Sequence, residues 1–297
     1  MKILVTGADG QLGQELLLQG RKSEFEPVAT DLSELDITAA ADVDKAIARF
    51  RPFLVINAAA YTQVDRAESE PLPAGRVNAE GPAVLAGACR SAGIAIIHIS
   101  TDYVFDGEKN TPYTESDPVA PTGVYARSKA DGENRIRSLL PEHIILRTSW
   151  LYGVFGHNFV KTMLRIGRER KVINVVNDQF GSPTSATDLA RTVLKIASDI
   201  HRKSAVPWGT YHYCGKGVAS WHEFAEKIFS LTAPYQLFKR PVVQAISTDQ
   251  YPTPAKRPRY SALDCSRIHQ NFGISTQPWP ESLAAVIKRI MNADKNG

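Results

Sequence analysis

The sequence has few cysteines, and they form no recognisable pair. Three are spread over 297 residues, at Cys89, Cys214 and Cys265, and no CxxC motif occurs. This spacing excludes a disulfide-rich secreted scaffold and gives no sign of a zinc site. We therefore expect three reduced, unpaired thiols, as in a cytoplasmic protein.

Long apolar runs and segregated charge are also missing. No apolar run approaches the roughly 18 residues of a membrane span, and KILVTG directly after Met1 does not look like an export signal. The formal net charge is only +4, with both signs spread along the chain, and the basic AKRPRY at 255–260 is typical of a solvated loop. The composition predicts a cytoplasmic protein that binds neither membranes nor nucleic acid.

The first half of the chain alternates strand-like and helix-like segments. Short runs rich in β-branched residues, such as KILVT and IAIIHIS, alternate with segments that carry apolar residues at helical spacing, such as QLGQELLLQG. This alternation predicts βαβ units around a parallel sheet that is buried on both faces. The predicted class is α/β, a Rossmann-type doubly wound parallel sheet with a smaller mixed α/β lobe.

The alternation loosens after about residue 150, where prolines and aromatic residues become frequent. Residues 1–149 are predicted to form a dinucleotide-binding Rossmann domain, and residues 150–297 largely a substrate-binding lobe. Parts of 172–200 and 209–214 are predicted to rejoin the main sheet, through the strand-like VINVV at 172–176 and GTYHYC at 209–214.

Glycines at GxxGxxG spacing follow the first predicted strand, in TGADGQLG. Glycine lets the backbone turn tightly and approach a pyrophosphate, which then faces the amides at the start of the next helix. The strand before the loop and the helix after it favour dinucleotide binding over a plain turn. The predicted cofactor residues of this loop are Gly7, Asp9, Gly10, Gln11, Leu12 and Gly13.

An acid ends the second predicted strand. Asp31 lies where a carboxylate can bind the ribose hydroxyls of the adenosine, although a turn cap is an equally good interpretation. A carboxylate at this place disfavours a 2′-phosphate, and no arginine follows in LSELD. The sequence therefore leans towards NADH without excluding NADPH.

Two tyrosines stand four residues ahead of a lysine. Tyr125 and Lys129 in GVYARSKADGE would share one face of a helix, while Tyr235 and Lys239 in YQLFK repeat the spacing in a stretch that looks like a strand. The glycine loop and the first YxxxK together resemble the extended short-chain dehydrogenase/reductases. The resemblance implies that Tyr125, Lys129 and the Thr101 of ISTDYVF are catalytic.

These residue types suit the reduction of a carbonyl group. Such a reaction needs a hydride from reduced nicotinamide, hydrogen-bond donors to the developing oxyanion and a proton at the end. Thr101 would donate a hydrogen bond to the carbonyl oxygen, and Tyr125 would give the proton. The ammonium of Lys129 would stabilise the phenolate and hold the nicotinamide ribose.

Longer stretches narrow the resemblance to the dTDP-4-dehydrorhamnose reductases. The similarity runs along nearly the whole chain and includes VINAAAYTQVDRAESEP, ILRTSWLYG, VVNDQFGSPT and YPTPAKRPRYSALD. It implies NADH- or NADPH-dependent reduction of the 4-keto group of a dTDP-sugar, dTDP-4-dehydro-6-deoxy-L-mannose, on the way to a surface polysaccharide. The site residues it implies are Ala59, Ala60, Tyr61 and Thr62 along the cofactor, Asp36 and Ile37 by the adenine, and Thr101, Asp102 and Trp150 at the substrate.

Further substrate contacts follow from the chemistry of a dTDP-sugar. Asn177, Asp178 and Gln179 offer the donors and acceptors that a thymine edge needs, and Arg257 could meet the diphosphate as a bidentate donor. Trp150 follows a predicted strand at the edge where open α/β sheets bind ligands, so it could pack on the sugar. A core tryptophan is the alternative.

The resemblance also raises the question of a metal. Some members of the family bind Mg²⁺ at a dimer interface through acidic side chains. Glu15 could match one ligand, but Ala186, Thr187 and Asp188 do not clearly supply the other. Magnesium and a homodimer therefore stay open.

Other functions within the superfamily are weighed by the same residues. A dehydratase would need an acid after Asp102, commonly in Thr-Asp-Glu, whereas this chain has Tyr103. Another nucleotide-sugar 4-ketoreductase, a 4-epimerase, or a non-catalytic regulatory subunit with the same fold stays open. Thr101, Tyr125 and Lys129 together favour catalysis.

Overall fold

A six-stranded parallel sheet lies at the centre of the structure. The computed structural model describes residues 1–202, 205–235 and 239–296. The strands are β1 (Lys2–Thr6), β2 (Glu26–Thr30), β3 (Leu54–Asn57), β4 (Ala95–Thr101), β5 (His143–Thr148), β6 (Leu151–Tyr152), β7 (Val172–Val176), β8 (Phe180–Gly181), β9 (Thr184–Ser185), β10 (Gly209–His212), β11 (Ala219–Ser220) and β12 (Val242–Ile246).

Helices connect the strands and cover the sheet. The α-helices are α1 (Gln11–Gly20), α2 (Ala40–Phe50), α3 (Val64–Ala67), α4 (Pro71–Gly75), α5 (Gly81–Ala92), α6 (Val124–Leu139), α7 (Phe159–Glu169), α8 (Ala186–Arg202), α9 (Trp221–Thr232), α10 (Ser266–Phe272) and α11 (Trp279–Asn296). The shorter helices are a π-helix at Arg76–Glu80 and 3₁₀ turns at Asp102–Val104, Ala233–Tyr235 and Thr248–Gln250. Among the described helices, none is both long and apolar enough to cross a membrane.

The strand order of the main sheet has a switch point at β1. The order is β10-β5-β4-β3-β1-β2, and every pairing in it is parallel. Because β2 and β3 lie on opposite sides of β1, the chain changes its direction of winding there. Ligands of open α/β sheets bind at the carboxyl ends of the strands at such a switch point.

Helices cover both faces of this sheet, which confirms the predicted α/β doubly wound fold. Alternate residues of a strand point to opposite faces, so Ile3 packs with α1 and α8, while Leu4 packs with α2, α5 and α6. Both residues are fully buried. A sheet that is covered on both faces explains why its strands are apolar runs without alternation.

The second half of the chain contributes a smaller lobe with its own apolar core. In it β7 and β12 form a two-stranded parallel sheet that packs with α7, α9 and α11. The prediction that 172–176 rejoins the main sheet is wrong. Val172 and Asn174 are exposed while Ile173 and Val175 are buried, an alternation that suits a strand with only one covered face. By contrast, β10 lies in the main sheet beside β5.

A buried ion pair fixes α6 against the sheet. The carboxylate of Glu133 on α6 accepts two hydrogen bonds from Arg147 on β5, at 2.9 and 2.7 Å, and one from the hydroxyl of Ser100 on β4 at 2.6 Å. Arg137 adds a bond at 2.6 Å. Glu133 and Arg147 are almost completely buried, so these bonds replace water that both charges have lost.

The charge state of Glu133 follows from the same contacts. Burial alone would raise the pKa of this carboxyl, but the hydrogen bonds and charges of Arg147 and Arg137 outweigh it and hold the pKa below its ordinary value. Because the folded pKa is the lower one, the ionised carboxylate stabilises the fold above the unfolded pKa. This contribution is lost as the pH falls through the folded pKa.

We predict that Glu133→Gln lowers the free energy of unfolding by about 3–5 kcal/mol, because it leaves the buried Arg147 cation without its counter-charge. Urea denaturation at neutral pH measures the change. Asp131→Asn is the matched control on the same helix, because its exposed pair with Arg135 contributes at most about 1 kcal/mol. Equal losses in the two variants would contradict the argument.

Candidate active site

The glycine loop after β1 has the geometry of a phosphate-binding turn. Gly7 has φ +69°, and a Cβ on it would lie 2.6 Å from the amide nitrogen of Ala59. A Cβ on Gly13 would lie 2.2 Å from the carbonyl oxygen of Gly7, so close packing requires glycine at both positions. Gly10 precedes α1 without a side-chain cap, which leaves the first amides of the helix for an anion. The loop therefore fits a dinucleotide pyrophosphate.

The other residues of this loop differ in what they can offer. Leu12 is buried in the core, so only its backbone could reach a ligand. The amide oxygen of Gln11 accepts a bond from Asn158 at 3.0 Å. Asp31 accepts bonds from the backbone amides of Asp9 and Leu32, both at 2.8 Å. Asp31 thus caps the turn and connects the phosphate loop to the end of β2.

Asp36 and Ile37 lie between β2 and α2. One oxygen of Asp36 accepts bonds from the backbone and hydroxyl of Thr38, at 2.9 and 2.7 Å, and the other lies 3.6 Å from Arg76. Ile37 is buried and packs against Gly81. Their contact with an adenine stays a prediction.

Asn78, in the π-helix, fixes the stretch Ala59–Thr62 beside α6. Its side chain accepts a bond from the amide of Tyr61 at 2.9 Å and donates to the Tyr61 carbonyl and to the Ser128 hydroxyl, both at 3.0 Å. Gly132 permits this approach, since a Cβ there would lie 2.1 Å from the Asn78 carbonyl oxygen. Asn78 was not predicted as a site residue from the sequence. A glycine in the middle of a predicted helix was the one signal of close packing.

The structure brings the three predicted catalytic residues to one edge of the sheet. Thr101 is the last residue of β4, Tyr125 lies in the first turn of α6, and Lys129 lies one turn later on the same face. Thr101 and Lys129 are buried, while Tyr125 is half-buried. The ring of Tyr103 packs edge-on against Tyr125 with centroids 5.9 Å apart.

The environment shifts the pKa of both titrating groups. Burial raises the pKa of Tyr125 to about 12, while the nearby Thr101 side chain opposes the shift and the charge of Asp102 adds to it. Burial lowers the pKa of Lys129 to about 8, against the charge of Glu133. At neutral pH the phenol therefore keeps its proton and can donate it.

Asp102 places a carboxylate next to this group. It is 2% exposed, one oxygen accepts the Thr101 hydroxyl at 3.0 Å, and the other has no hydrogen-bond partner. Burial raises the pKa of Asp102 to about 6, and the nearby hydroxyl groups of Ser261 and Thr101 oppose this rise. A buried carboxylate oxygen without a partner is available to a ligand hydroxyl.

Tyr235 has a different setting from Tyr125. It ends the 3₁₀ turn Ala233–Tyr235 and packs against the core of the second lobe. The interpretation of this stretch as a strand is therefore wrong for Tyr235, while residues 236–238 lie outside the described residues. Tyr235 therefore packs just beyond the C-terminal end of α9.

Trp150 has an unusual backbone and a stacked ring. Its φ is +46°, in the left-handed region that non-glycine residues rarely adopt. The indole stacks on Trp221, with centroids 3.5 Å apart and planes 4° apart. Gly181 leaves room for the ring, because a Cβ there would lie 2.5 Å from it. One face of Trp150 is therefore already covered by protein.

The predicted base and diphosphate ligands are largely bonded within the protein. Asp178 accepts bonds from the amide and hydroxyl of Thr248, and the amide of Gln179 donates to the same hydroxyl at 3.1 Å. Arg257 donates to Asp65 on α3 at 2.7 Å. Asn177 is exposed. Their substrate contacts stay predictions, and the sequence did not predict Asp65 as the partner of Arg257.

Glu15 does not fit a magnesium site. It is buried, and its carboxylate accepts bonds from Arg289 at 2.7 Å and from Gln19 at 3.3 Å, while Arg289 also donates to Thr187. Asp188 accepts bonds from Arg191 and Ser282. Within the described ranges no three His, Cys, Asp or Glu side chains cluster as metal ligands. An arginine thus meets the charge that a metal would need.

Comparison with known proteins agrees with this geometry. The sequence model of the family described as RmlD substrate binding domain matches residues 1–292. A dTDP-4-dehydrorhamnose reductase of Aggregatibacter actinomycetemcomitans is 46% identical over 284 residues, which are 95% of this chain and 97% of the relative.

Solved structures show the same relationship. A dTDP-4-dehydrorhamnose reductase of Clostridium acetobutylicum superposes with a TM-score of 0.91 at 44% identity and covers 98% of this chain and 99% of its own. One from Bacillus anthracis, solved in complex with NADP, has a TM-score of 0.88 at 39% identity and covers 97% and 99%. The chain belongs to the dTDP-4-dehydrorhamnose reductase family.

Proposed function

We propose that the protein reduces the 4-keto group of dTDP-4-dehydro-6-deoxy-L-mannose to give dTDP-L-rhamnose, with NADH or NADPH as the coenzyme. The observation that carries the proposal is the convergence of Thr101, Tyr125 and Lys129 at the edge of the sheet beside the glycine loop. Relatives named for this reaction match nearly the whole chain.

The residues of the chain divide the work of the reaction. When bound, the reduced nicotinamide supplies a hydride to C4 of the sugar. Thr101 donates a hydrogen bond to the 4-oxygen as negative charge develops on it, and Tyr125 gives that oxygen its proton. The proton leaves the phenol as the C4–H bond forms, so the product is the neutral 4-hydroxyl.

Other residues would hold the two ligands. The amides after Gly10 would meet the pyrophosphate of the coenzyme, and the stretch 59–62 would line its path towards Tyr125. The unpartnered oxygen of Asp102 would accept a hydrogen bond from a sugar hydroxyl. Arg257 would meet the diphosphate of the substrate by exchanging its bond to Asp65.

A second candidate is another reaction of a nucleotide-sugar carbonyl, either a different 4-ketoreduction or a 4-epimerisation. The same three residues would serve it, so the distinction lies in the substrate and in coenzyme turnover. An epimerase retains its coenzyme, whereas a reductase consumes one reduced coenzyme for each sugar. A regulatory subunit would convert neither the sugar nor the coenzyme.

A cytoplasmic location and a homodimer complete the proposal. The three cysteines are free thiols, which suits a reducing compartment. The homodimer rests on the family resemblance alone and stays a prediction.

We predict that Tyr125→Phe lowers kcat by roughly 10²–10⁴-fold, because the change removes the proton donor and keeps the ring. The assay follows coenzyme absorbance with purified protein and dTDP-4-dehydro-6-deoxy-L-mannose. Tyr235→Phe is the matched control and should leave the rate within about twofold, since this tyrosine packs in the second lobe. Coenzyme absorbance that stays constant with the wild-type protein would sink the reductase proposal.

We predict that Asp31 weakens the use of NADPH relative to NADH. Asp31→Asn removes a negative charge from the ribose end of the phosphate loop, so kcat/KM for NADPH should rise about tenfold relative to NADH, or roughly 1.4 kcal/mol. Glu34→Gln is the control, because it removes a charge from the same turn but keeps the Asp31 carboxylate. Equal changes in both variants would assign the effect to general charge instead.

We predict that removal of divalent metal leaves the reductase active. Arg289 already neutralises Glu15, so dialysis against EDTA should change kcat/KM by less than about twofold. Measurement before and after addition of Mg²⁺ tests this. Loss of activity that Mg²⁺ restores would contradict the assignment.

A further inference from the structure

A row of buried polar side chains crosses the sheet behind the catalytic lysine. Asn57 at the end of β3, His98 in β4 and Lys129 on α6 are each at most 2% exposed. Asn57 Nδ2 lies 3.0 Å from His98 Nδ1, and His98 Nε2 lies 3.4 Å from Lys129 Nζ. The proposed mechanism does not use Asn57 or His98.

The direction of these hydrogen bonds is fixed by a backbone amide. The N–H of Ala59 can only donate, and it points at the Asn57 side chain at 3.1 Å, so the atom facing it is the oxygen Oδ1. The hydroxyl of Thr6 donates to the same oxygen at 2.8 Å. The other atom of the Asn57 amide is therefore the NH₂ group, and it donates to His98 Nδ1.

This donation fixes the protonation of His98. A ring nitrogen that accepts a bond carries no hydrogen, so the single proton of the neutral imidazole is on Nε2 and points at Lys129 Nζ. An imidazolium would place a hydrogen on Nδ1 against the NH₂ group of Asn57. Burial and then the charge of Lys129 also hold the pKa of His98 well below its ordinary value.

An N–H that points at Nζ suits one form of the lysine better than the other. A neutral amine has a lone pair that accepts this bond, and it can still donate to the carbonyl oxygen of Ile99 at 2.8 Å. An ammonium has no lone pair to offer. The opposing influence is the negative charge of Glu133, which Arg147 and Arg137 neutralise in turn.

We propose that Asn57 fixes the tautomer of His98, and that the Nε2–H of His98 favours release of a proton from the Lys129 ammonium. This inference rests on the proposed reductase function and deepens it. After Tyr125 gives its proton to the sugar oxygen, the phenolate needs another. Lys129 supplies it and becomes the neutral amine, which later regains a proton from water. Asn57 and His98 are positioning residues for this return.

The tautomer can be measured on the wild-type protein without substrate. Nitrogen-15 NMR of the histidine side chains should show His98 protonated on Nε2 and bare on Nδ1. His212 is an internal control with the opposite arrangement, because its Nδ1 faces the carbonyl oxygen of Tyr113 and its Nε2 faces Arg147. His98→Gln and His212→Gln assign the two signals. A proton on Nδ1 of His98 would overturn the proposal.

The variant Asn57→Asp reverses the direction of the hydrogen bonds along the row. Its second carboxylate oxygen accepts a bond, so His98 must carry its proton on Nδ1 and offer bare Nε2 to the Lys129 ammonium. The titration midpoint of Lys129, followed by carbon-13 NMR of its Cε, should then rise by about one pH unit or more. In a His98→Phe background, Asn57→Asp adds a negative charge but cannot act through the histidine. The rise in the titration midpoint of Lys129 should then be clearly smaller. Equal rises would overturn the proposal.

The pH dependence of the reaction gives a further readout. The ammonium is the form that returns the proton, so the rate should fall as the pH rises through the pKa of Lys129, and this fall should move to higher pH in Asn57→Asp. A fall at the same pH in both proteins would contradict the proposal. The NMR results need no substrate, so they stand or fall independently of the reductase assignment.

Discussion

The buried carboxylate of Glu133 is the interaction on which the geometry of the site depends. Arg147 reaches it from β5 and Ser100 from β4, so one group on α6 is bonded to two strands of the sheet. Tyr125 and Lys129 lie on the same helix, and Thr101 ends the strand that carries Ser100. Apolar packing alone would allow small shifts of a helix, whereas charged hydrogen bonds with fixed directions do not.

A second buried side chain also joins neighbouring strands, close to the switch point of the sheet. Asn57 lies at the carboxyl end of β3, where it bonds to Thr6 of β1 and to His98 of β4. Asn57 also accepts a bond from the backbone amide of Ala59, the first residue of the stretch 59–62. The groups that would bind coenzyme and the groups that set the charge on Lys129 therefore share one hydrogen-bonded support.

Local patterns predicted the parts of the structure that local physics determines. Apolar runs in alternation with helical spacing gave the doubly wound sheet, because strands covered on both faces have no polar side. The glycine loop could also be predicted, because close backbone packing at Gly7 and Gly13 requires glycine. The placement of β7 beside β12 could not be predicted, because a short apolar run does not determine which sheet the strand joins.

Pairings between distant residues left no local pattern. Arg257 meets Asp65 and Arg289 meets Glu15 across most of the chain, so a single sequence shows four isolated charges. Asn78 could not be predicted because a π-helix of one turn is too short to show a sequence period. His98 could not be predicted because a buried histidine inside an apolar strand looks like an ordinary core residue. The polar support of the site is therefore what the structure adds.

The left-handed backbone of Trp150 makes positions 150, 181 and 221 depend on one another. A left-handed tryptophan is strained by roughly 1–3 kcal/mol, and the stack on Trp221 helps to offset that strain. Gly181 leaves the space that the ring fills. A side chain gained at 181 would displace the indole, and a smaller residue at 221 would uncover it. In related chains, these three positions are expected to be inherited together or replaced together.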